Sequence, residues 1–335
     1  MSQESRPQNH QGQINGPNQF LYGKLASKHT LRRSIPPRPR KTGKIAFVLS
    51  GGGNRGAVQV GMLRALVERG IYPDFILGAS VGALNGVGYA TDPSHGALER
   101  LNNLWIGLSK DAVFPPQRFG ATWRYAQRRA FVYPNHALEA VIRQSVTIAD
   151  LSDTVIPMEI VITNAATGEP KRLTSGDPVK ALLATSALPG TFPPIEIDGS
   201  LFIDGGVSDD VPLLRAADLG ADTIYVLYCG SLQRIGRSRN RPIEAVLESF
   251  ALAKLARFRA DLATLGDRAT AVVLQSTAAD NIPWLDYSRS SQMIDDGYLS
   301  AVATLSALES SKIASRRRRT DKKAAFSTIQ VAQQF

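Results

Sequence analysis

The chain has 335 residues, of which 43% are hydrophobic and 20% charged, a composition typical of a globular protein. No apolar run reaches the ~18 residues of a membrane-spanning helix, and the first residues lack the apolar core of a secretory signal. A single cysteine, Cys229, excludes an internal disulfide framework and fits a reducing compartment, so we expect a cytoplasmic protein.

The net charge of +10 is concentrated in two tails. Residues 1–44 carry nine Lys or Arg against one acidic residue, and residues 309–335 carry seven against two. Such tails favour solvated, disordered segments, and the alternative is attraction to an anionic membrane or to nucleic acid. Neither tail has a signature of specific nucleic-acid binding. We expect a basic tail over 1–43, one domain over 44–312 and a basic tail over 313–335.

Strands and helices alternate from residue 44 onward. "KIAFVLS" (44–50) is a continuous apolar run typical of a buried parallel strand, and the following "AVQVGMLRALVERG" has apolar residues at helical spacing. "DFILGAS" (74–80) predicts a second strand, and "VGALNGVGYA" predicts a helix rich in small residues. Two strand–turn–helix units in succession are typical of a parallel α/β sheet.

The rest of the chain continues this alternation without an internal repeat or a linker. Further strands are predicted at 158–165, 195–204, 223–229 and 269–276. Helices are predicted at 96–108, 135–146, 178–186, 242–264 and 290–311. Within 195–204, the pair Asp198-Gly199 separates "IEI" from "SLFID" and indicates a hairpin.

A candidate nucleophile lies in "LGASVGALNG" (77–86), where Gly78, Ser80 and Gly82 form Gly-x-Ser-x-Gly. The pattern is typical of a serine on a sharp turn between a strand and a helix, where glycines remove side chains that would clash. Ser80 closes the second predicted strand and opens a helix, as such an elbow requires. The alternative is that Ser80 only caps the helix beginning at Val81.

"GGGNRG" (51–56) also follows a strand and opens a helix. Gly51, Gly53 and Gly56 fit the dinucleotide fingerprint, which would indicate a nucleotide-binding oxidoreductase. That function needs an acidic residue at the end of the second strand, which here ends in Ser80. We therefore favour an oxyanion hole, in which glycine amides at a helix N-terminus face developing negative charge.

The base for this serine is harder to find, because the chain has four histidines. His10 and His29 lie in the N-terminal tail, and His95 and His136 are predicted in a surface turn and in a first helical turn. A triad in the order serine, acid, histidine would draw its acid from Asp92, Glu99 and Asp111. None of these three acids ends a predicted strand.

Asp204 is the better candidate for the base. It ends the strand "LFID", and Gly205 and Gly206 after it let other groups approach closely. Burial in this position would raise the pKa of the carboxyl group and make it a stronger base. The alternative is that Asp204 only starts a turn, as Asp before Gly often does.

Taken in order, "GGGNRG", "GASVG" and "DGG" resemble the motifs of the patatin-like phospholipases, and "ATSALPGTFPPIEIDG" adds to the likeness. The resemblance runs from about Ile45 to the "MIDDGYLSA" segment (293–301). It implies a three-layer α/β/α fold and phospholipase A-type hydrolysis of lipid esters by a Ser–Asp dyad, with no metal or other cofactor required. Neutral-lipid or general carboxylesterase activity is the alternative on the same dyad.

The resemblance also implies roles for individual residues. Ser80 would be the nucleophile and Asp204 the base. The oxyanion site would comprise Gly51, Gly52, Gly53 and Arg55. The turns that support the two catalytic side chains would depend on Gly78, Gly82, Gly205 and Gly206. From the residues alone, Arg55 either adds positive charge to the site or faces solvent.

Contact with a membrane has two candidate regions, the basic tails and the segment 113–133. That segment joins six aromatic residues to four arginines, a combination suited to a lipid headgroup interface. The alternative is a cap packed over the core beside the active site. A lipid or phospholipid is the expected substrate, a non-catalytic binding protein is the remaining alternative, and the sequence leaves the oligomeric state open.

Overall fold

The structure is a computed structural model and describes the backbone of residues 43–116, 131–233, 242–277 and 282–332. The strands are β1 (Ile45–Leu49), β2 (Phe75–Ala79), β3 (Met158–Asn164), β4 (Pro170–Leu173), β5 (Ile195–Ile197), β6 (Ser200–Asp204), β7 (Thr223–Tyr228) and β8 (Thr270–Gln275). The helices are α1 (Ala57–Glu68), α2 (Val81–Ala90), α3 (His95–Gly107), α4 (Lys110–Val113), α5 (His136–Ser145), α6 (Pro178–Thr185), α7 (Leu213–Asp218), α8 (Pro242–Leu265) and α9 (Ser290–Ala332).

All these strands form one mainly parallel sheet in the order β5-β6-β3-β2-β1-β7-β8, with β4 paired to β3. Strands β3, β2, β1, β7 and β8 run parallel, whereas β4, β5 and β6 run antiparallel to their neighbours. Leu49 at the end of β1 pairs with Gly78 of β2 and Leu227 of β7. The carboxyl ends of three neighbouring strands therefore lie side by side.

Side chains of the parallel strands are buried on both faces of the sheet. In β1, Phe47 and Leu49 face one core and Ala46 and Val48 face the other, because successive side chains of a strand point to opposite faces. Helices α1, α2, α3 and α9 contribute to the first core, and α7 and α8 contribute to the second. The sheet lies between two helical layers, so the predicted three-layer α/β/α fold is confirmed.

Helix α1 is buried around most of its circumference because α9 covers its outer side. The two helices meet in backbone contact: a Cβ on Gly61 would lie 2.0 Å from the Ile294 carbonyl oxygen. A Cβ on Gly297 would lie 2.2 Å from the Val58 carbonyl oxygen. Glycine at both positions is what permits this approach of a helix from the end of the described chain to one near its beginning.

Strands β2 and β6 meet end to end along one edge of β3. Val161 of β3 pairs with Ala79 of β2, and the next residue, Ile162, pairs with Asp204 of β6. Strand β4 occupies the opposite edge of β3. Because β2 and β6 run in opposite directions, their last residues arrive at the same point of the sheet. We call this meeting point of the last residues of β2 and β6 the seam. It places the chain that follows β2 beside Asp204.

The structure adds elements that the sequence pattern does not indicate. Strand β4 has the sequence Pro-Lys-Arg-Leu, which lacks apolar alternation, and α4 and α7 span only four and six residues. Helix α9 continues to Ala332 and thus passes the boundary predicted at residue 312. The N-terminal tail over 1–42 and most of the segment 113–133 lie outside the described residues.

Candidate active site

Ser80 occupies a strained turn between β2 and α2. Its backbone has φ 51° and ψ −127°, a left-handed conformation that a residue with a side chain rarely adopts. The Ser80 side chain makes no capping hydrogen bond to α2, so the alternative role as a helix cap is wrong. The turn instead leaves the hydroxyl half-buried at the edge of the sheet.

Two glycines make this turn possible. A Cβ on Gly82 would lie 2.2 Å from the carbonyl oxygen of Leu49, which is backbone and has no room to move. A Cβ on Gly78 would lie 2.8 Å from the carbonyl oxygen of Gly82. The predicted support of the elbow by both glycines therefore has a direct steric reason.

Thr185, at the end of α6, ties the elbow to the neighbouring strand. Its hydroxyl accepts a hydrogen bond from the Ser80 amide at 2.8 Å and donates one to the Val161 carbonyl oxygen at 2.5 Å. A Cβ on Gly205 would lie 2.1 Å from the same Val161 oxygen. Thr185 thus fixes the seam between β2 and β6 from the side of the helical layer.

Asp204 is buried and its carboxylate is held by two hydrogen bonds. It accepts the Gly206 amide at 2.7 Å and the Ser80 hydroxyl. Its own backbone is fixed too, since the Thr163 hydroxyl donates to the Asp204 carbonyl oxygen at 2.8 Å. Asp204 therefore starts a turn, as one sequence interpretation held, and also contacts the candidate nucleophile, as the other required.

Burial is the main influence on the protonation of Asp204. It raises the pKa of the carboxyl group from its usual value near 3.8 to about 6. The positive charge of Lys254 and the hydrogen bonds from Ser80 and Gly206 lower the pKa and offset part of this rise. At neutral pH the carboxyl group is ionised, and it is a stronger base than a solvated aspartate.

The glycine loop approaches the elbow from the end of β1. A Cβ on Gly51 would lie 3.3 Å from the Ser80 Cβ, and one on Gly52 would lie 2.4 Å from the Cys229 Cβ. The amide of Gly51 donates to the Asp210 carboxylate, so it serves to hold the loop. Gly53 has φ +60°. The amides of Gly52 and Gly53 are the remaining oxyanion donors proposed from the sequence.

Arg55 is half-buried and lines the same cavity as Ser80. Its amide donates to the Gly52 carbonyl oxygen at 3.3 Å, which closes a 3-10 turn over Gly53–Gly56. The sequence left open whether the Arg55 side chain lies at the site or faces solvent, and the structure supports a position at the site. Its contribution to the binding of an oxyanion stays a prediction.

The sequence does not predict a buried ion pair that lies beside Ser80 and Asp204. Lys254 of α8 donates to Asp210 at 2.7 Å, and both side chains are largely excluded from solvent. Asp210 follows the Asp-Gly-Gly turn by four residues, but Lys254 comes from a helix far along the chain. No sequence pattern connects a lysine on a helix to a turn that precedes it by some fifty residues.

The described histidines lie away from this constellation. His95 at the start of α3 and His136 at the start of α5 are exposed, and neither lines the cavity next to Ser80. Among the described residues, no three His, Cys, Asp or Glu side chains converge as they would around a metal ion. Likewise, no helix within the described ranges is both long and apolar enough to cross a bilayer.

A cavity of about 330 Å³ opens beside Ser80 and Asp204. It is lined by apolar side chains from α2, α3, α4, α5 and the residue after α4, among them Leu84, Leu101, Trp105, Val113, Phe114 and Leu138. Phe114 also packs on Tyr133, Phe192 and Trp284. The two described ends of the 113–133 segment therefore pack at the cavity wall. The choice between a helical cap and a membrane interface stays a prediction, because residues 117–130 lie outside the described ranges.

Comparison with known proteins identifies the family of this chain. The sequence model of the patatin-like phospholipase family matches residues 47–217, which include the glycine loop, the elbow, Asp204 and both glycines after it. The chain belongs to the patatin-like phospholipase family. The family resemblance inferred from the motifs is thereby confirmed.

Relatives of this patatin-like chain include much longer fungal proteins. A lysophospholipase of Aspergillus terreus is 31% identical over 214 residues, which cover 61% of this chain and 13% of that protein. A lysophospholipase of Phaeosphaeria nodorum is 30% identical over 198 residues, 56% of this chain and 12% of that protein. The chain thus corresponds to a small part of these relatives. Among solved structures, VipD from Legionella pneumophila aligns with a TM-score of 0.44 and 16% identity, over 79% of this chain and 67% of that one.

Proposed function

We propose that this chain is a lipid acyl hydrolase that cleaves fatty-acyl esters through Ser80 and Asp204. One observation carries the proposal: a buried carboxylate accepts the hydrogen bond of a serine hydroxyl at the mouth of an apolar cavity. The hydroxyl is a weak nucleophile until a base takes its proton. Family membership and the names of the fungal relatives support the same chemistry.

The reaction proceeds in two steps. Asp204 accepts the Ser80 proton while the serine oxygen attacks the ester carbonyl carbon. The tetrahedral intermediate collapses as its bond to the alcohol breaks, and the alcohol leaves with the proton from Asp204. Water then attacks the acyl-enzyme and gives a proton to Asp204, which returns it to Ser80 as the fatty acid is released.

Negative charge on the carbonyl oxygen is stabilised by the glycine loop. The Gly52 and Gly53 amides lie at the start of the 3-10 turn that leads into α1, and the N-terminal end of a helix favours an anion. Removal of one such donor costs ~10²–10³ in rate in other hydrolases. Ester and thioester substrates are favoured over amides, because an amide carbonyl is less electrophilic and its amine is a poorer leaving group than an alcohol or a thiol.

Lysophospholipids are the substrate class that we favour. The fungal relatives are named lysophospholipases, and the apolar cavity has a volume at the lower end of the range for small-molecule sites. A small cavity accommodates one acyl chain more readily than two. Diacyl phospholipids, neutral lipids and simple carboxylic esters are the competing substrates.

The test is hydrolysis of a chromogenic fatty-acyl ester, followed by a panel of lysophospholipids, diacyl phospholipids and neutral lipids with product analysis by mass spectrometry. We expect ester hydrolysis to be lost in Ser80→Ala and retained in Ser94→Ala, a control for loss of a serine hydroxyl at the cap of α3. Hydrolysis that persists in Ser80→Ala would reject the nucleophile. A preference for neutral lipids would reject only the substrate class.

Peripheral contact with an anionic membrane is the second part of the proposal. The basic residues Arg316–Arg319 fall on the part of α9 that continues past residue 312. A cluster of cations attracts anionic lipid at about 1 kcal/mol per residue near the surface. Co-sedimentation with phosphatidylserine vesicles at low salt is expected, lost at high salt and weakened by deletion of 313–335, because the basic N-terminal tail remains. Absence of binding at low salt would contradict it.

A further inference from the structure

Lys254 and Asp210 form an ion pair in the interior beside the candidate dyad. Their side chains are 19% and 6% exposed, and Nζ lies 2.7 Å from Oδ1. Removing two charges from water is costly, and a buried pair often contributes little net stability. The position of this pair, next to both halves of the site, therefore calls for an explanation other than stability.

The Asp210 carboxylate contacts both turns that build the site. It accepts the Gly51 amide, and its Oδ1 lies 2.5 Å from the position that a Cβ on Gly51 would take. The same oxygen lies 2.6 Å from the Cβ position of Gly206. One carboxylate oxygen is thus packed between the glycine loop and the Asp-Gly-Gly turn, and only glycine leaves room for it.

Lys254 is close to Asp204 as well as to Asp210. The Cβ position of Gly206 is within 3.0 Å of Asp204 Oδ1 and within 3.4 Å of Lys254 Nζ. The Cys229 thiol, which follows β7, lies beside Asp210 and Lys254, and burial raises its pKa to about 12. Lys254 and Asp210 are the charged groups that act most on the pKa of Asp204, and Ser80 and the Gly206 amide donate hydrogen bonds to it. Arg55 and Glu248 line the same cavity.

We propose that Asp210 and Lys254 are positioning residues for the proposed hydrolysis: Asp210 holds the glycine loop against the Asp-Gly-Gly turn, and Lys254 keeps Asp204 ionised. This inference depends on the proposed function, because it assigns the pair to the same reaction. The two charges act on Asp204 with opposite sign. Lys254 favours the ionised base, and Asp210 both repels it and neutralises part of the effect of Lys254.

The opposite signs provide the test. In a plot of kcat/KM for a chromogenic acyl ester against pH, the acid limb is the range in which activity falls as the pH is lowered. In the wild-type protein the midpoint of this limb should lie near pH 6, at the pKa of Asp204. In Lys254→Met the limb should move up by about one pH unit or more, since a charge at this range shifts a carboxyl pKa by ~1–3 units. In Asp210→Asn, which keeps the oxygen that accepts the Gly51 amide, the limb should move down.

Matched controls separate this effect from a general change of charge or stability. Lys180→Met and Asp198→Asn remove exposed charges and should leave the limb in place. Thermal unfolding of each variant identifies any that does not fold. Asp210→Asn is nearly isosteric, so its downward shift tests the proposal even if Lys254→Met fails to fold.

Limbs that stay at the wild-type position in both variants, or that move in the same direction, would overturn the positioning role while the proposed function stands. A wild-type protein without ester hydrolysis would overturn both. As an independent measurement, the pH dependence of the rate at which a fluorophosphonate labels Ser80 should show the same two shifts.

Discussion

Two stretches of the molecule share the tripeptide Ile-Asp-Gly and differ in almost everything else. Residues 197–199 form the tip of the β5–β6 hairpin, and residues 203–205 form the other end of β6. Asp198 is 82% exposed and pairs with Lys171 in solvent, whereas Asp204 is buried and contacts Ser80. The same local sequence forms a surface turn at one end of a strand and the candidate base at the other.

The glycines of the two tripeptides differ for the same reason. Gly199 has φ +73° and open space around the position of a Cβ, so glycine is needed there for its backbone conformation. Gly205 has no such backbone angle, but a Cβ would lie 2.1 Å from the Val161 carbonyl oxygen. One glycine serves a turn and the other serves a close approach, and only the surrounding fold distinguishes them.

The largest expected difference between the two turns is in activity. Asp204→Asn should lower kcat for a chromogenic acyl ester by about 10²–10⁴-fold, because an amide cannot accept the Ser80 proton. The kcat of Asp198→Asn should stay within about twofold of the wild-type value, because the substitution affects only an exposed ion pair and Asn tolerates the left-handed conformation. Equal losses in the two variants would contradict the assignment of Asp204 as the base.

A second difference concerns the free energy of unfolding. Gly205→Ala should destabilise the fold by about 3 kcal/mol or more, because the new methyl group overlaps a backbone oxygen of β3. Gly199→Ala should cost about 1 kcal/mol, the strain of a left-handed alanine at an open position. Urea titration followed by two spectroscopic probes measures the free energy of unfolding of each variant. A smaller loss of stability in Gly205→Ala than in Gly199→Ala would show that the contact between Gly205 and β3 can relax.

A smaller effect links Asp204 to stability through pH. Burial raises its folded-state pKa to about 6, above its usual value near 3.8, so the folded state binds the proton more tightly than the unfolded state. Its contribution to stability is therefore greatest below pH 4 and is lost as the pH rises through about 6. At pH 8, the free energy of unfolding of Asp204→Asn should be about 2 kcal/mol higher than that of the wild-type protein. This difference should shrink at pH 4.

The corresponding measurement on the hairpin tip sharpens the comparison. Asp198→Asn removes an exposed carboxyl group and is the matched control in urea titrations at pH 4 and pH 8. A pH-independent gain in Asp204→Asn would indicate relief of packing rather than relief of a buried charge.

The features that the sequence predicts well are those that a short stretch specifies. The buried strands, the hairpin at Asp198-Gly199 and the elbow at Ser80 each have a local cause: a continuous apolar run, a turn dipeptide, a glycine pair. Together with the alternation of strands and helices along the chain and the family motifs, these local features predict the three-layer fold. Strand β4 is missed because its pairing with β3, and not its composition, makes it a strand.

The features that the sequence does not predict arise from contacts between distant segments. Lys254 reaches Asp210 from α8, Thr185 reaches Ser80 from α6, and the Gly51 amide turns to a carboxylate some 160 residues away. None of these partners has a spacing or periodicity that connects it to the other. A sequence pattern locates the glycine loop, but the structure assigns its first amide to Asp210.

The backbone contact of α1 with α9 has a consequence for the synthesis of this protein. Helix α1 leaves the ribosome well before the helix that covers it, which begins at Ser290, more than two hundred residues later. At translation rates of about 5–20 residues per second, an apolar helix stays uncovered for roughly 10–45 s. We therefore expect a chain truncated before Ser290 to expose the apolar surface of α1 and to aggregate.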